Sequence, residues 1–243
     1  MKVSIITVCK NSAAGIENAI QSVLNQDYPD IQYMIIDGQS TDGTLEIVDS
    51  YRNQIDVLIS ESDSGIYNAM NKGLRYTDGV LVYFLNSDDS LYDNRVISDV
   101  VAEFRNYQNN SVIYGNVAVK LNDKPQILKY KNLNKRYFYK NTICHQALFI
   151  PKELYQTTIG GFDEKYPIHA DVDWIMRAYL KHKVNFSYFD RNICNYSSEG
   201  FSSNPLYAEK YKFDRQEISA KYFLEAKIKL GIKRILIKLG LYS

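Results

Sequence analysis

The 243-residue chain has no run of roughly 18 apolar residues, the length that spans a bilayer, so nothing in it predicts a transmembrane helix. Cysteine is scarce: Cys9, Cys144 and Cys194 are widely spaced and form no CxxC, which argues against a disulfide framework or a thiolate zinc site and suits a reducing cytoplasm. The three histidines show no HxxxH or HExxH spacing, so an imidazole zinc site is not indicated either. A formal net charge of +1, with no zinc-finger or basic-region spacing, gives no sign of a nucleic-acid partner. The chain lacks GxGxxG and GxxxxGK[ST], so any phosphate it binds must be held by a metal and scattered donors rather than by a glycine-rich cradle. Although MKVSIITVC carries a lysine ahead of apolar residues, it has no small-residue cleavage site and runs at once into polar helix signals, so it reads as a first strand and not a signal sequence.

What the chain does have is 45% hydrophobic residues, enough for a substantial core, organised around VLVYFLNSDDSL at residues 80–91. Residues 80–85 are rich in β-branched and aromatic side chains, which predicts a strand buried on both faces of a parallel sheet. In open α/β sheets ligands gather at the carboxyl ends of the strands. Asp88 and Asp89 fall just past such an end, placed to hold a hard cation against a phosphate, although Asp and Asn also simply terminate strands.

Upstream, residues 3–8, 31–36 and 57–60 read as further strands. Between them, Ile16, Ala19, Ile20, Val23 and Leu24 recur at helical spacing behind a predicted cap at Asn11 and Ser12. Helices are also expected over 65–75, 94–106 and 171–182. Residues 111–139 alternate like an antiparallel hairpin turning at 122–124, 184–189 read as a strand, 197–205 as a polar loop, and the last forty residues as helix. Residues 9–12, residues 37–40 and Asp63 all fall beyond strand ends, on the same predicted edge as Asp88 and Asp89.

Four segments in register, VSIITVCKNSAAGIENAIQSVLNQDYPDIQYMIIDGQSTDGT, ESDSGIYNAMNKGL, YFLNSDDSLY and GGFDEKYPIHADVDWIMRA, resemble the family 2 glycosyltransferases, especially those of bacterial surface-polysaccharide assembly. The resemblance implies an α/β chain of the GT-A fold: a Rossmann-like, mostly parallel sheet with helices on both faces, and a smaller antiparallel acceptor-side section. It implies a domain over 1–204, divided into a nucleotide-sugar half (1–110) and an acceptor half (111–204), followed by a helical tail over 205–243. On the matching positions it assigns Thr7, Asn11 and Asp37 to the nucleoside, and Asp63 and Lys72 to the neighbourhood of base and phosphates. Asp88 goes to ribose or metal, and Asp89 is the main ligand of Mn or Mg. Asp171 inherits the role of general base. Its physical task is to take a proton during attack on the anomeric carbon, because a carboxylate of pKa about 3.9 cannot deprotonate a sugar hydroxyl outright. His145 and Gln146, in CHQALFI, inherit contacts to acceptor and diphosphate, and Trp174 is either a sugar platform or core.

Two positions depart from the family pattern: Gly38 stands where a second acid is common, and Asn86 where the metal motif commonly begins with aspartate. The expected activity is inverting, metal-dependent transfer of a sugar from a nucleoside diphosphate, UDP above all, to a glycan hydroxyl, with the acceptor expected to be lipid-linked through a polyprenyl diphosphate. The alternative is a nucleotide-sugar-binding or scaffold protein that has lost catalysis. If residues 227–241 are helical, Ile228, Ile232, Ile235, Leu236 and Leu239 make an apolar stripe flanked by lysine and arginine, which suits docking on the anionic inner face of a membrane. Packing of that tail on the catalytic domain or on a second copy is the equal alternative.

Overall fold

The computed structural model describes residues 1–107, 111–121, 124–197, 205–224, 228 and 231–232. Four apolar segments form the parallel half of a sheet: β1 (Val3–Cys9), β2 (Ile31–Asp37), β3 (Val57–Ser60) and β4 (Leu81–Asn86), in the order β3-β2-β1-β4. Because successive side chains point to opposite faces, Ile5, Tyr33, Ile35, Tyr83 and Leu85 enter one core while Ile6, Met34, Ile36, Val82 and Phe84 enter another. Helices α1 (Ile16–Leu24), α2 (Thr44–Ser50) and α4 (Val96–Phe104) cover the first face, and α3 (Ile66–Leu74) the second. Gly73 permits the close seat of α3: a Cβ there would lie 2.7 Å from Cγ2 of Ile6.

Chain order reverses between β1 and β4, the point at which such sheets bind ligands. At the start of α1 the structure departs from expectation. Asn11 adopts a left-handed φ of 52° outside the helix, and Gly15 occupies the cap position with no side-chain cap bond.

The second half continues the same sheet. After the short β5 (Ser90–Leu91) come β6 (Ser111–Leu121), β7 (Lys124–Leu128), the helix α5 (Lys135–Lys140) and β8 (Leu148–Pro151), which lies antiparallel between β4 and β6. β6 and β7 pair antiparallel as the alternation predicts; the turn at 122–123 lies outside the described residues. The strand expected over 184–189 is longer: β9 (Asn185–Tyr196) runs parallel to β6 and ends against β5. That extra length delivers Ser197 to the edge carrying Asp88 and Asp89.

Helix α6 (Ala170–Met176) gives way to a π turn over Arg177–Lys181, and α7 (Ala208–Tyr222) follows. Helix α7 is joined to the preceding half by buried acids. Asp214 Oδ2 accepts from the backbone N–H groups of Ile168 (2.9 Å) and His169 (3.1 Å), just ahead of α6. In return Asp173 of α6 accepts from Lys221 Nζ (2.7 Å) and Tyr222 OH (2.9 Å). Ile218 and Phe223 enter the same apolar cluster as Trp174 and Ile175. Residues 208–223 therefore share the core of the second half, and most of 227–241 lies outside the described residues. Among the described residues no helix is long and apolar enough to cross a membrane.

Candidate active site

The loops after β1 and β2 are stitched to each other. Asn11 N–H donates to Ser40 Oγ (2.8 Å), Thr41 N–H to Asn11 Oδ1 (2.9 Å), Ser12 N–H to Thr44 Oγ1 (2.8 Å) and Ala13 N–H to Asp42 Oδ2 (3.1 Å). At the centre of this lattice Asp37 is fully buried. It accepts from Ser40 N–H (3.0 Å), Ser40 Oγ and Ser60 Oγ (2.7 Å). Burial raises its pKa, but these bonds together outweigh burial and hold it below the ordinary value. Thr7 is also fully buried, its hydroxyl 3.2 Å from that of Tyr33, so its side chain does not reach the cleft. Lys72 spends its ammonium group locally, on Asp63, Glu61 (2.9 Å) and the Ser62 carbonyl (2.8 Å). The glycine at 38 has a steric reason: a Cβ there would stand 3.0 Å from Asp63 Oδ2 and 3.2 Å from Lys10 Cδ. Asp63 thus occupies the space into which an acid at 38 would grow.

The paired acids after β4 separate into two roles. Asp88 is exposed, whereas Asp89 is 2% exposed and has both carboxylate oxygens engaged. Ser197 N–H donates to Oδ1 and Gln146 Nε2 to Oδ2. Gln146, itself fully buried, uses its other amide atom to accept from Asn86 N–H (2.9 Å), so it ties the end of β4 to Asp89. Burial, then the charge of Asp88, pushes the Asp89 carboxyl up to about 7, against the pull of those two donors. Asp89 therefore anchors the turn from within, and the buried Gln146 links the end of β4 to it. The Asn86 Oδ1 atom is buried without a partner. The start of α1 presses on the same turn: a Cβ on Gly15 would lie 2.8 Å from the Ser87 carbonyl oxygen and 3.1 Å from Asp88 Cα. Ser87 Oγ donates to Ser12 Oγ (2.8 Å), joining the β1 and β4 loops.

Across the switch point, α6 presents Asp171. Its Oδ1 lies 2.7 Å from Tyr67 OH, which shares its one hydrogen with the Ile168 carbonyl (2.8 Å), and its Oδ2 lies 3.2 Å from His145 Nδ1. Burial raises the Asp171 pKa, but the bond and charge of His145 and the Tyr67 hydroxyl together lower it below the ordinary carboxylate value. His145 also acts electrostatically on Asp88, so one imidazole lies within range of the exposed acid of one half and the helix acid of the other. His145 Nε2 is buried without a partner. Trp174 is not a sugar platform: it is 1% exposed, packs on Tyr155 (ring centroids 4.7 Å apart) and donates from Nε1 to the Gly160 carbonyl (2.8 Å).

Among the described residues no cluster of three or more His, Cys, Asp or Glu side chains could hold a metal. Asp88 supplies one exposed carboxylate, and the Asn86 oxygen two residues earlier is unsatisfied. That sparse set suits a hard cation such as Mg, which is commonly bound through one or two carboxylates and substrate phosphates rather than in a protein cage. Tyr67, Gly15 and Ser197 escape sequence reasoning because their contacts are remote, 104 residues apart for Tyr67 and Asp171 and 108 for Ser197 and Asp89. Position within GIYNAMNKGL is the one signal for Tyr67.

The model for glycosyl transferase family 2 matches residues 4–165. The chain belongs to that family. A PGL/p-HBAD biosynthesis glycosyltransferase of Mycobacterium bovis is 28% identical over 218 residues, covering 86% of this chain and 81% of the relative. The putative teichuronic acid biosynthesis glycosyltransferase TuaG of Bacillus subtilis is 26% identical over 234 residues, covering 92% and 91%. Among solved structures, S. aureus TarS 1–349 in complex with UDP-GlcNAc superposes with a TM-score of 0.75 at 23% identity, over 92% of this chain and 67% of that one. The mannosyltransferase PcManGT of Pyrobaculum calidifontis, in complex with GDP-Man and Mn2+, gives 0.65 at 18%, over 92% and 63%. The fold is GT-A, and this chain spans about two thirds of the length of these solved relatives. In this family 2 glycosyltransferase the two candidate acids, Asp88 after β4 and Asp171 on α6, both lie within electrostatic range of His145.

Proposed function

We propose that this glycosyltransferase moves a hexose-type sugar, with inversion, from a UDP-sugar to a hydroxyl of a glycan acceptor in cell-surface polysaccharide assembly. The observation that carries the reading is the His145 imidazole within range of both an exposed acid after β4 and a helix acid on α6. Together these provide a leaving-group side and a base side. Relatives named for surface-glycan biosynthesis, and a neighbour of like fold in complex with UDP-GlcNAc, support the substrate class. The acceptor is taken to be lipid-linked through a polyprenyl diphosphate, which would bring the enzyme to the inner face of the membrane.

Asp88 would hold a divalent Mg or Mn together with diphosphate oxygens; Asp89, through Gln146 and Ser197, fixes the turn that aims Asp88. The bound cation supplies positive charge against the charge developing on the leaving diphosphate. The Asn11, Asp37 and Asp63 loops line the nucleoside side, Asp37 acting by holding Ser40 in place. On the acceptor side, Asp171 and His145 handle the proton of the incoming hydroxyl.

The test is nucleotide release from a panel of UDP-, GDP- and dTDP-sugars by the purified chain. UDP should appear from at least one UDP-sugar, stop with EDTA and return with Mn or Mg. Binding-induced thermal shifts without release of any nucleotide would instead indicate a binding protein.

A further inference from the structure

We propose that the cavity between the segment ahead of α5, the π turn after α6 and the first residues of β6 and β9 binds a glycan segment carrying an acidic substituent, and so grips a polymeric acceptor away from its reacting hydroxyl. This deepens the transferase reading above, from which it takes the class of acceptor. The cavity has a volume of about 710 Å³, within the roughly 300–1,000 Å³ of small-molecule sites. Tyr114, Tyr179, Phe186 and Tyr188 line it together with lysines and asparagines, and no acid does.

The aromatic wall follows from strand geometry. Phe186 and Tyr188 are two apart on β9 and so share a face, and Tyr188 is the register partner of Tyr114 on β6. Ring centroids stand 5.5 Å apart for Tyr114 and Tyr188, 6.3 Å for Tyr114 and Phe186 and 5.5 Å for Phe186 and Tyr179, which makes one continuous surface. Tyr114 is buried beneath it, while the other three rings are half-buried and so not closed over as core. Rings with a polar rim suit a pyranose, whose C–H face packs on them while its hydroxyls meet the rim.

The charge left over at the rim sets the kind of glycan. Lys131 is paired with Asp190 (3.4 Å), but Lys183 has no ion pair or hydrogen bond among the described residues, and neither has the side-chain amide of Asn132. Lys183 also holds a left-handed φ of 56°, a conformation that glycine and asparagine adopt more readily than lysine. Such outliers collect at ligand clamps, and here the outlier carries the unspent cation. Tyr179 OH donates to the Leu133 carbonyl (3.1 Å), which ties the rim beside Asn132 to the aromatic wall. The cavity stands apart from the reacting groups: Tyr179 lies eight residues beyond Asp171, roughly 10 Å along the helical run, and the start of β9 is the end away from Ser197. Single-stranded nucleic acid also takes rings and cations, but three asparagines against two lysines in the lining, on a chain of net charge +1, favour a glycan.

Titration calorimetry of the full chain with tetragalacturonate, singly phosphorylated maltotetraose and neutral maltotetraose tests this. At least one acidic probe should bind more tightly than the neutral one, and the two acidic arms tell a carboxylate from a phosphate. Lys183→Asn should weaken that binding on the order of tenfold or more and leave maltotetraose where it was, while Lys183→Arg keeps it. Asparagine tolerates the left-handed backbone, so the variant folds, which its thermal midpoint checks. Asn132→Ala should weaken the same probe by a smaller factor. No preference for an acidic probe, or binding indifferent to Lys183→Asn, would overturn the inference. Tighter binding of oligothymidine than of any glycan would make the cavity a nucleic-acid site and overturn it equally. A chain that releases UDP but binds no acidic probe loses this inference and keeps the transferase reading. One that binds an acidic probe through Lys183 yet releases no nucleotide loses the transferase reading and keeps the glycan site.

Discussion

Replacing Asp89 by asparagine should change how stability depends on pH, and the buried site allows the size to be worked out. The folded chain holds this carboxyl at about 7 against an ordinary 3.8. Between those values the folded state binds more protons than the unfolded state, so stability falls as pH rises and the loss is complete above about pH 7. At roughly 1.36 kcal/mol per pH unit the full loss is about 4 kcal/mol. The amide of the Asp89→Asn variant stays neutral at every pH and escapes that loss. It has a cost of its own, because its single oxygen satisfies only one of the two donors, Ser197 N–H and Gln146 Nε2, and its amide nitrogen confronts the other. Gln146 cannot simply turn over, since its oxygen is needed by Asn86 N–H. That mismatch costs about 1–3 kcal/mol. The variant should therefore be the less stable chain near pH 4 and match or pass the wild type by pH 8. Urea denaturation in EDTA across that range measures the difference directly. A wild-type-minus-variant gap that stays constant with pH would refute the assignment of a strained, buried charge to Asp89.

Two further perturbations probe the other supports of the cleft. Asp37→Asn should cost about 2 kcal/mol near pH 7 by spoiling bonds from Ser40 and Ser60. Because the folded Asp37 pKa is lowered, that gap should hold above about pH 4 and close as pH falls through the folded value, which denaturant midpoints at several pH values would check. Gly15→Ala should cost about 1–3 kcal/mol by overpacking and also lower turnover, because its methyl group meets the Ser87–Asp88 backbone. Turnover at wild-type level, read in the nucleotide-release assay, would mean the turn yields without moving Asp88.

The parallel half was legible because its signals are local. Apolar runs at residues 3–8, 31–36, 57–60 and 80–85 each became a strand within a residue or so of expectation; burial on both faces demands such runs in β1, β2 and β4. The second half was less so. β8 is four residues and β5 two, too short to carry a period, and both exist because longer strands lie beside them. The twelve-residue β9 was read as only half its length because DRNICNY mixes polar and apolar residues, as expected where a strand leaves the centre of a sheet for its edge.

The same distinction between local and remote causes explains the site. Sequence identifies Asp88 and Asp89 as acids past a strand end but treats neighbours alike. Which of them can meet a ligand depends on Gln146, 57 residues on, and Ser197, 108 residues on, both of which bond to Asp89. Likewise Asp171 is recognisable at the start of its helix, yet its company of Tyr67 and His145 comes from α3 and from the segment before β8. Adjacent carboxylates therefore take opposite roles, one spent on holding the turn and one left exposed.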